Sequence, residues 1–468
     1  MANAMRLILF SNVDEGRAVQ RLPRLTLSSA GVMPLSPHLP PEDMMHQIPD
    51  RNELLMILRR ANQNAWIWIS IRLVGILILI YLINWNAVVL SPIASVTACL
   101  VIIGPLAMEL AQLWGQKRKR IEDIKESTRF GDLDKHKLKF LYQETLKRLD
   151  LPAVGPPVYV SNDRSLNASA VRLTSFLTGL NGIYLHRQIL HKLRDEEVQS
   201  VMGHELGHYY RFRLVDDRLM FLTVVLGAFV GLFAVQVIRL DGLLGFIVLS
   251  AICSVFWMIM NHRRYKYGMT TEFLCDDFGA QVNGVEYSIS GLLKIGLDAE
   301  IRTLVYLEVL GRNLDQPDLS PKEIASSIES AVPFGYEDES DLYESVGREI
   351  QAKRQQNSRL SIRGFFRYVW ESDDLDDEEA LRETLERQAR EINQIERVEW
   401  ENVLDDLSEI RLSTRQAEEL VMMIEQNPGK SLFRVPRSAA YSDGIHPPIE
   451  QRILYLWKNR DHSSSLEL

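Results

Sequence analysis

The chain has 468 residues, enough for two or three ordinary domains, and a net charge of −9. The acidic excess sits mainly in the last third, in runs such as Glu337-Asp338-Glu339 and Asp373-Asp374-Leu375-Asp376-Asp377-Glu378-Glu379, which excludes a nucleic-acid partner. Its three cysteines exclude a disulfide framework and suit a reducing compartment: Cys99 and Cys253 fall in apolar segments, and Cys275 beside a motif taken up below.

Residues 1–60 read as a poorly ordered leader with a Pro-rich stretch from Pro34 to Pro41 and no sustained periodicity. Leu7 to Phe10 is too short for the core of a cleaved signal peptide, and Met33 or Met44 offers an alternative start. Hydrophobicity averages 46 %, an ordinary figure that conceals very apolar stretches in a charged remainder. From Trp66 the sequence is apolar to Leu90 and again from Ile93 to Trp114, with a break at Asn84-Trp85-Asn86 and Pro92. A bilayer-spanning helix takes about 20 apolar residues, so residues 66–114 accommodate a transmembrane hairpin, with Arg72 able to snorkel and Trp66, Trp68 and Trp114 suited to the interface.

Residues 115–218 follow as a more polar segment. Leu138, Leu141, Leu146 and Leu149 predict a helix over 134–149; Pro156 to Val160 and Gly182 to Leu185 predict short strands, and Asn167 to Leu173 a further one. A second apolar pair, Leu219 to Ile238 and Leu243 to Met260, is separated by Arg239-Leu240-Asp241-Gly242. Neither member carries the polar stripe of an amphipathic surface helix, so residues 219–260 read as a second transmembrane hairpin rather than as buried core helices. Basic residues cluster outside the paired spans: Arg59-Arg60, Lys117-Arg118-Lys119-Arg120, Arg211 with Arg213, and Arg263-Arg264 with Lys266. This distribution predicts four spans with both termini and the charged domain on the cytoplasmic side.

Asp195-Glu196-Glu197 predicts an N-cap and an acidic first turn for a helix running through Val198, Val201, Met202 and Leu206. On it, His204 and His208 stand one turn apart and can reach a single cation, while Glu205 between them can take a proton from a water activated by that cation. Two histidines leave a catalytic site one ligand short, and the position six residues on, where a third histidine would stand, is Leu214. Over 261–285, Glu272 and Asp276 share a helix face. They read either as a solvated acidic face or as a third ligand with a supporting partner; the hairpin between returns the chain to the side it left and favours the second. Cys275 is a soft ligand by type or a buried bystander.

These motifs resemble the M48 family of membrane metallopeptidases, in particular its heat-shock HtpX-like branch. The similarity lies in Asn167-Ala168, Gly182-Ile183-Tyr184-Leu185 through Asp195-Glu196, His204-Glu205-Leu206-Gly207-His208, Glu272-Phe273-Leu274-Cys275-Asp276, and His446-Pro447-Pro448 with Arg452-Ile453, in that order. The resemblance implies an α-rich α+β membrane protein: four transmembrane helices and a zincin-type (gluzincin) domain carrying a small sheet. It implies one zinc ion per chain on His204, His208 and Glu272, catalysis by Glu205, and support from Asp276. His446 and Arg452 are placed close to the active site, where either can donate to an oxyanion. Asn167 and Ala168 are placed on an edge strand to which an extended substrate adds its backbone.

The implied partners are the lipid bilayer and unfolded or membrane-associated proteins, in quality control at a cell (inner) membrane with the active site on the cytoplasmic side. A processing protease for one partner and a non-catalytic zinc-holding scaffold are the alternatives. The main departure from the family is residues 286–440, helical and acidic, ahead of the C-terminal segment 441–468. This insertion reads as a solvated addition, a lid, or a dock for an adaptor or a second copy. Within it Ser413 and Gln416 match a capping box, and Arg382 to Arg397 alternate in charge like a solvent-exposed helix.

Overall fold

The computed structural model describes residues 48–90, 96, 118–161, 166–171, 180–215, 220–240, 242–313, 346–348, 351, 375–405, 410–435 and 446–461. The first helix, α1 (Arg51–Leu82), begins well before Trp66. Asp50 caps it by accepting from Asn52 N, Glu53 stands in the first turn, and Leu54, Leu58, Ala61 and Ala65 recur on one buried face. Residues 51–60, expected in a poorly ordered leader, are therefore helix, because their apolar side chains are spaced to pack on the rest of the molecule. The remainder of that leader, residues 1–47, lies outside the described residues. A break at Ile83-Asn84 separates α1 from α2 (Trp85–Leu90), where the Gln236 side chain both donates to and accepts from the Asn84 backbone.

Four strands form a mixed sheet in the order β1 (Arg118–Arg120), β4 (Val158–Ser161), β6 (Gly182–His186), β5 (Ala168–Val171). The central pair β4 and β6 is parallel, Val158 facing Ile183, and buried along its whole length, as its run of apolar and aromatic residues requires. On one edge β1 is antiparallel to β4; on the other, β5 is antiparallel to β6 with Ala168 opposite Leu185. A hairpin of β2 (Arg129–Phe130) and β3 (Leu133–Asp134) leads into α3 (Lys135–Arg148), capped by Asp134 through Lys137 N at 2.8 Å and burying Leu138, Leu141 and Leu146. The short α4 (Arg187–Lys192) connects the sheet to α5 (Asp195–Tyr210), which carries the paired histidines.

Helices α6 (Met220–Ile238) and α7 (Gly242–Asn283) form an antiparallel pair, and Gly284 turns the chain into α8 (Val285–Asn313). One core joins Leu54 and Leu58 of α1, the face of α3, β4 and β6, Val198, Met202 and Leu206 of α5, and Phe273, Leu274 and Phe278 of α7. A second core unites Ile289, Leu292 and Leu293 of α8 with Trp400, α10 (Thr414–Gln426), Leu432, Phe433 and α11 (Ile449–Lys458). The 286–440 segment is therefore not simply a solvated insertion: residues 398–405 and 410–433 seat α11 against α8. Ser413 and Gln416 make the expected capping box. The charged helix α9 (Leu375–Gln394) exposes Glu383, Glu386, Arg387 and Arg390 but ends before Arg397, whose guanidinium turns onto Glu401 and the Leu432 carbonyl.

Among the described residues one helix, α1, is long and apolar enough to cross a membrane. The expected span at 93–114 lies, apart from residue 96, outside the described residues. The expected third and fourth spans correspond to shorter apolar helical stretches, Leu222–Ile238 in α6 and Leu243–Phe256 in α7.

Candidate metal centre

Two helices build the site, and glycine sets how close they come. An ideal Cβ on Gly203 of α5 would stand 2.9 Å from the Gly279 Cα of α7, and one on Gly207 would stand 3.1 Å from Cys275 Sγ. The absence of side chains at these crossings lets α5 and α7 meet nearly backbone to backbone. Cys275 is thus a buried packing partner of Gly207, with a thiol that burial pushes well up. The first turn of α5 is held differently from the expected Asp195 cap. Asp195 is already helical and pairs with Lys137 at 2.7 Å, whereas Glu197 accepts from Arg194 N at 2.8 Å and pairs, fully buried, with Lys294 of α8.

The crossing brings His204, His208 and Glu272 together, with one ligand atom from each lying within 4.8 Å of the others. His204 Nε2 and His208 Nε2 are 3.1 Å apart, and they lie 3.5 Å and 3.2 Å from Glu272 Oε2 and Oε1 respectively. Glu272 is buried, and its Oε2 makes no hydrogen bond of normal geometry. Burial opposes its ionisation, but the facing His208 and His204 hold the carboxyl well below the ordinary range. Two imidazole nitrogens and a buried carboxylate oxygen converging on one point fit a divalent cation of the zinc type.

Behind this triad, Asp276 Oδ1 lies 2.8 Å from His204 Nδ1. The contact places the His204 proton on Nδ1 and turns Nε2 bare toward the pocket. Arg452 of α11 completes the arrangement by donating from Nε to Asp276 Oδ2 at 2.6 Å and from Nη2 to Oδ1. This corrects the expectation that Arg452 donates to an oxyanion: its fork is spent on Asp276, on the far side of His204. Burial works against the Asp276 charge, and Arg452 together with His204 more than offsets it, keeping the carboxyl below its usual value. His446 stands on the open side, its Nδ1 3.0 Å from Glu272 Oε2 and its side chain 47 % exposed. Glu205 is buried beside the triad, and burial raises its carboxyl above the ordinary range, partly offset by the neighbouring imidazoles.

The strand expected to carry substrate is at the sheet edge. Asn167 precedes β5, accepts from His186 N through its carbonyl at 3.1 Å, and caps Ala168 N with its side chain; β5 runs beside α5. One contact near the site went unread in the sequence: Asp277, the neighbour of Asp276, accepts from Arg51 Nε at 2.8 Å, both residues being buried. The adjacent acids point about 100° apart on a helix, so one of the pair needs a second cation, and that is the only local signal of it.

A helix-borne pair of histidines, a carboxylate from a second helix and a buried glutamate between them define the site type of a metallopeptidase. Residues 132–326 match the model of Peptidase family M48. The chain is 26 % identical over 196 residues to the "Protease HtpX homolog" of Bacteroides fragilis, covering 37 % of this chain and 57 % of that protein. It is 24 % identical over 192 residues to the "Protease HtpX" of Acinetobacter baumannii, covering 38 % and 55 %. It thus spans just over half the length of the curated relatives it matches, and no solved structure matches it. The matches support the resemblance carried by the motifs: the chain is similar to M48 peptidases and to proteases of the HtpX type.

Proposed function

We propose that the chain is a membrane-embedded, zinc-dependent endopeptidase that hydrolyses peptide bonds of unfolded or membrane-associated proteins, with its active site on the cytoplasmic side. The observation that carries this reading is the convergence of His204, His208 and Glu272 with the buried Glu205 beside them. His204, His208 and Glu272 would hold a zinc ion, which would supply Lewis-acid polarisation of a carbonyl and a lowered pKa for a water. Glu205 takes a proton from the attacking water and returns it to the leaving amine, a role suited to a carboxyl whose affinity for protons is raised by burial. His446, half exposed on the open side, is the donor placed to meet the oxygen of a scissile carbonyl. β5, the edge strand of the sheet among the described residues, supplies backbone groups to an extended substrate, a mode tolerant of side chains that suits quality control.

Membrane embedding is supported by a band of exposed apolar side chains that a soluble surface does not carry. It includes Trp66, Ile67, Trp68, Leu77 and Tyr81 on α1 with Leu243, Leu244, Phe246, Met258 and Ile259 on α7. The apolar sequence of 93–114 supports a count of four spans, and the basic residues around Arg59 and Arg211 support a catalytic side in the cytoplasm of a cell (inner) membrane.

The test is cleavage of β-casein by the detergent-solubilised chain with added zinc, beside Glu205→Gln. Zinc content should be equal and the rate about 10²- to 10⁴-fold lower in the variant. Equal rates would refute the mechanism. Equal zinc with no cleavage by either would favour the non-catalytic scaffold.

A further inference from the structure

The exposed apolar band ends at defined points on two helices that continue unbroken into the catalytic core. On α7 the last exposed apolar side chain among the described residues before the site is Ile259, ahead of the polar run Asn261-His262-Arg263-Arg264, and the same helix runs on to carry Glu272 and Asp276. At a rise of about 1.5 Å per residue, the thirteen residues from Ile259 to Glu272 span about 20 Å. On α1 the continuous run of exposed apolar side chains ends at Trp66, with Met56 standing alone beyond Arg59 and Arg60, and the helix continues in the opposite direction to Arg51, a distance of about 22 Å from Trp66.

These extensions are braced to the site at several points. Arg51 Nε donates to Asp277 Oδ2 at 2.8 Å, and Arg51 N donates to Asn459 at the end of α11. Asn62 ties α1 to the exit of α5, donating to the Arg213 carbonyl at 3.2 Å and accepting from Val215 N at 2.9 Å. Between these polar contacts Leu54, Leu58 and Ala61 lie in the same core as Phe273, Leu274 and Tyr455. Arg51 meets α7 five residues past Glu272, so the two extensions agree on the height of the site to about one helical turn.

We propose that α1 and α7 are paired rigid struts that hold the metal centre about 20 Å from the apolar edge of the bilayer, and so set where a membrane-anchored substrate is cut. This rests on the membrane-embedded peptidase reading above. An extended chain covers about 3.3–3.6 Å per residue, so a bond closer than about six residues to the end of the substrate's own span does not reach the site. A flexible chain attains an average reach of 20 Å only at about thirteen residues. The specificity is one of distance: juxtamembrane bonds are spared, and bonds farther out in unfolded cytoplasmic tails are cut.

The experiment reconstitutes the zinc-loaded chain in phosphatidylethanolamine–phosphatidylglycerol vesicles with single-span substrates. Each carries one cleavable β-casein stretch behind a Gly-Ser spacer of about two to about twenty residues. Free β-casein and Glu205→Gln serve as controls. Cleavage should be absent below about six spacer residues and level off near about thirteen. Equal cleavage at every spacer length would overturn the struts, as would cleavage of free β-casein with no tethered substrate cut at any length. Failure to cut even free β-casein would instead bring down the peptidase reading, and the distance rule with it.

Discussion

At the scale of single residues, the site separates groups that face the substrate from groups that hold a ligand in place. Arg452 and His446 were indistinguishable in the sequence, since both are cationic or potentially cationic and both lie in the C-terminal segment. The structure divides them. Arg452 grips Asp276, which orients His204, whereas His446 lies on the open side of Glu272. Arg452→Gln leaves a buried carboxylate without its principal counter-charge, which costs about 3–5 kcal/mol of stability. Metal affinity should fall about 10- to 100-fold, because His204 loses its orientation. His446→Ala should reduce kcat with metal affinity unchanged. Chelator competition and steady-state kinetics on the two variants check the division; the reverse pattern, metal loss in His446→Ala and a pure kcat defect in Arg452→Gln, would restore the oxyanion role to the arginine.

At the scale of elements, what the sequence disclosed was local and what it withheld was long-range. The leucines of α3 and the Ser413–Gln416 cap were readable because partners three or four residues apart meet on any helix. His204 and His208 were readable from their one-turn spacing, whereas spacing left Glu272 open between a solvated acidic face and a third ligand, and the chain path and the family resemblance chose the ligand. Leu54, Leu58 and Ala61 were missed because Arg51, Arg59 and Arg60 interrupt the stripe and no neighbouring signal named α3 and α7 as its partners. Trp400 and Phe433 carry no periodicity at all. Trp400 opens a single 3-10 turn and Phe433 sits in an irregular segment, with ring centroids 5.5 Å apart, and Phe433 fills the gap over Gly296 of α8. Yet this pair anchors the second core, on which α11 and hence Arg452 depend. Trp400→Ala should cost about 3–5 kcal/mol and weaken metal retention at elevated temperature. Thermal unfolding followed by zinc release checks it: unfolding and release unchanged from the parent chain would mean that residues 398–405 and 410–433 do not support the site.

At the scale of the whole molecule, the catalytic core and the apolar band share their helices, so sidedness follows from the path of the chain. α1 leaves the core toward the band, α6 runs beside it, and α7 returns to deliver Glu272. The turn between α6 and α7 consequently lies at the end of the band away from the metal centre, where Gln236 holds Asn84 at the far end of α1. Arg239 occupies this turn and is exposed, while Lys139 is exposed on α3 in the core. If the band lies in a bilayer, these two positions are on opposite faces. In sealed inverted vesicles a membrane-impermeant maleimide should label Lys139→Cys directly and Arg239→Cys only after detergent is added, each measured over the background of the unsubstituted chain. The bilayer reading requires this asymmetry because a paired crossing by α6 and α7 cannot leave both ends of one apolar helix on the same side. Equal labelling of the two variants without detergent would mean that the chain does not cross there, and that the exposed apolar band is covered by protein instead of lipid.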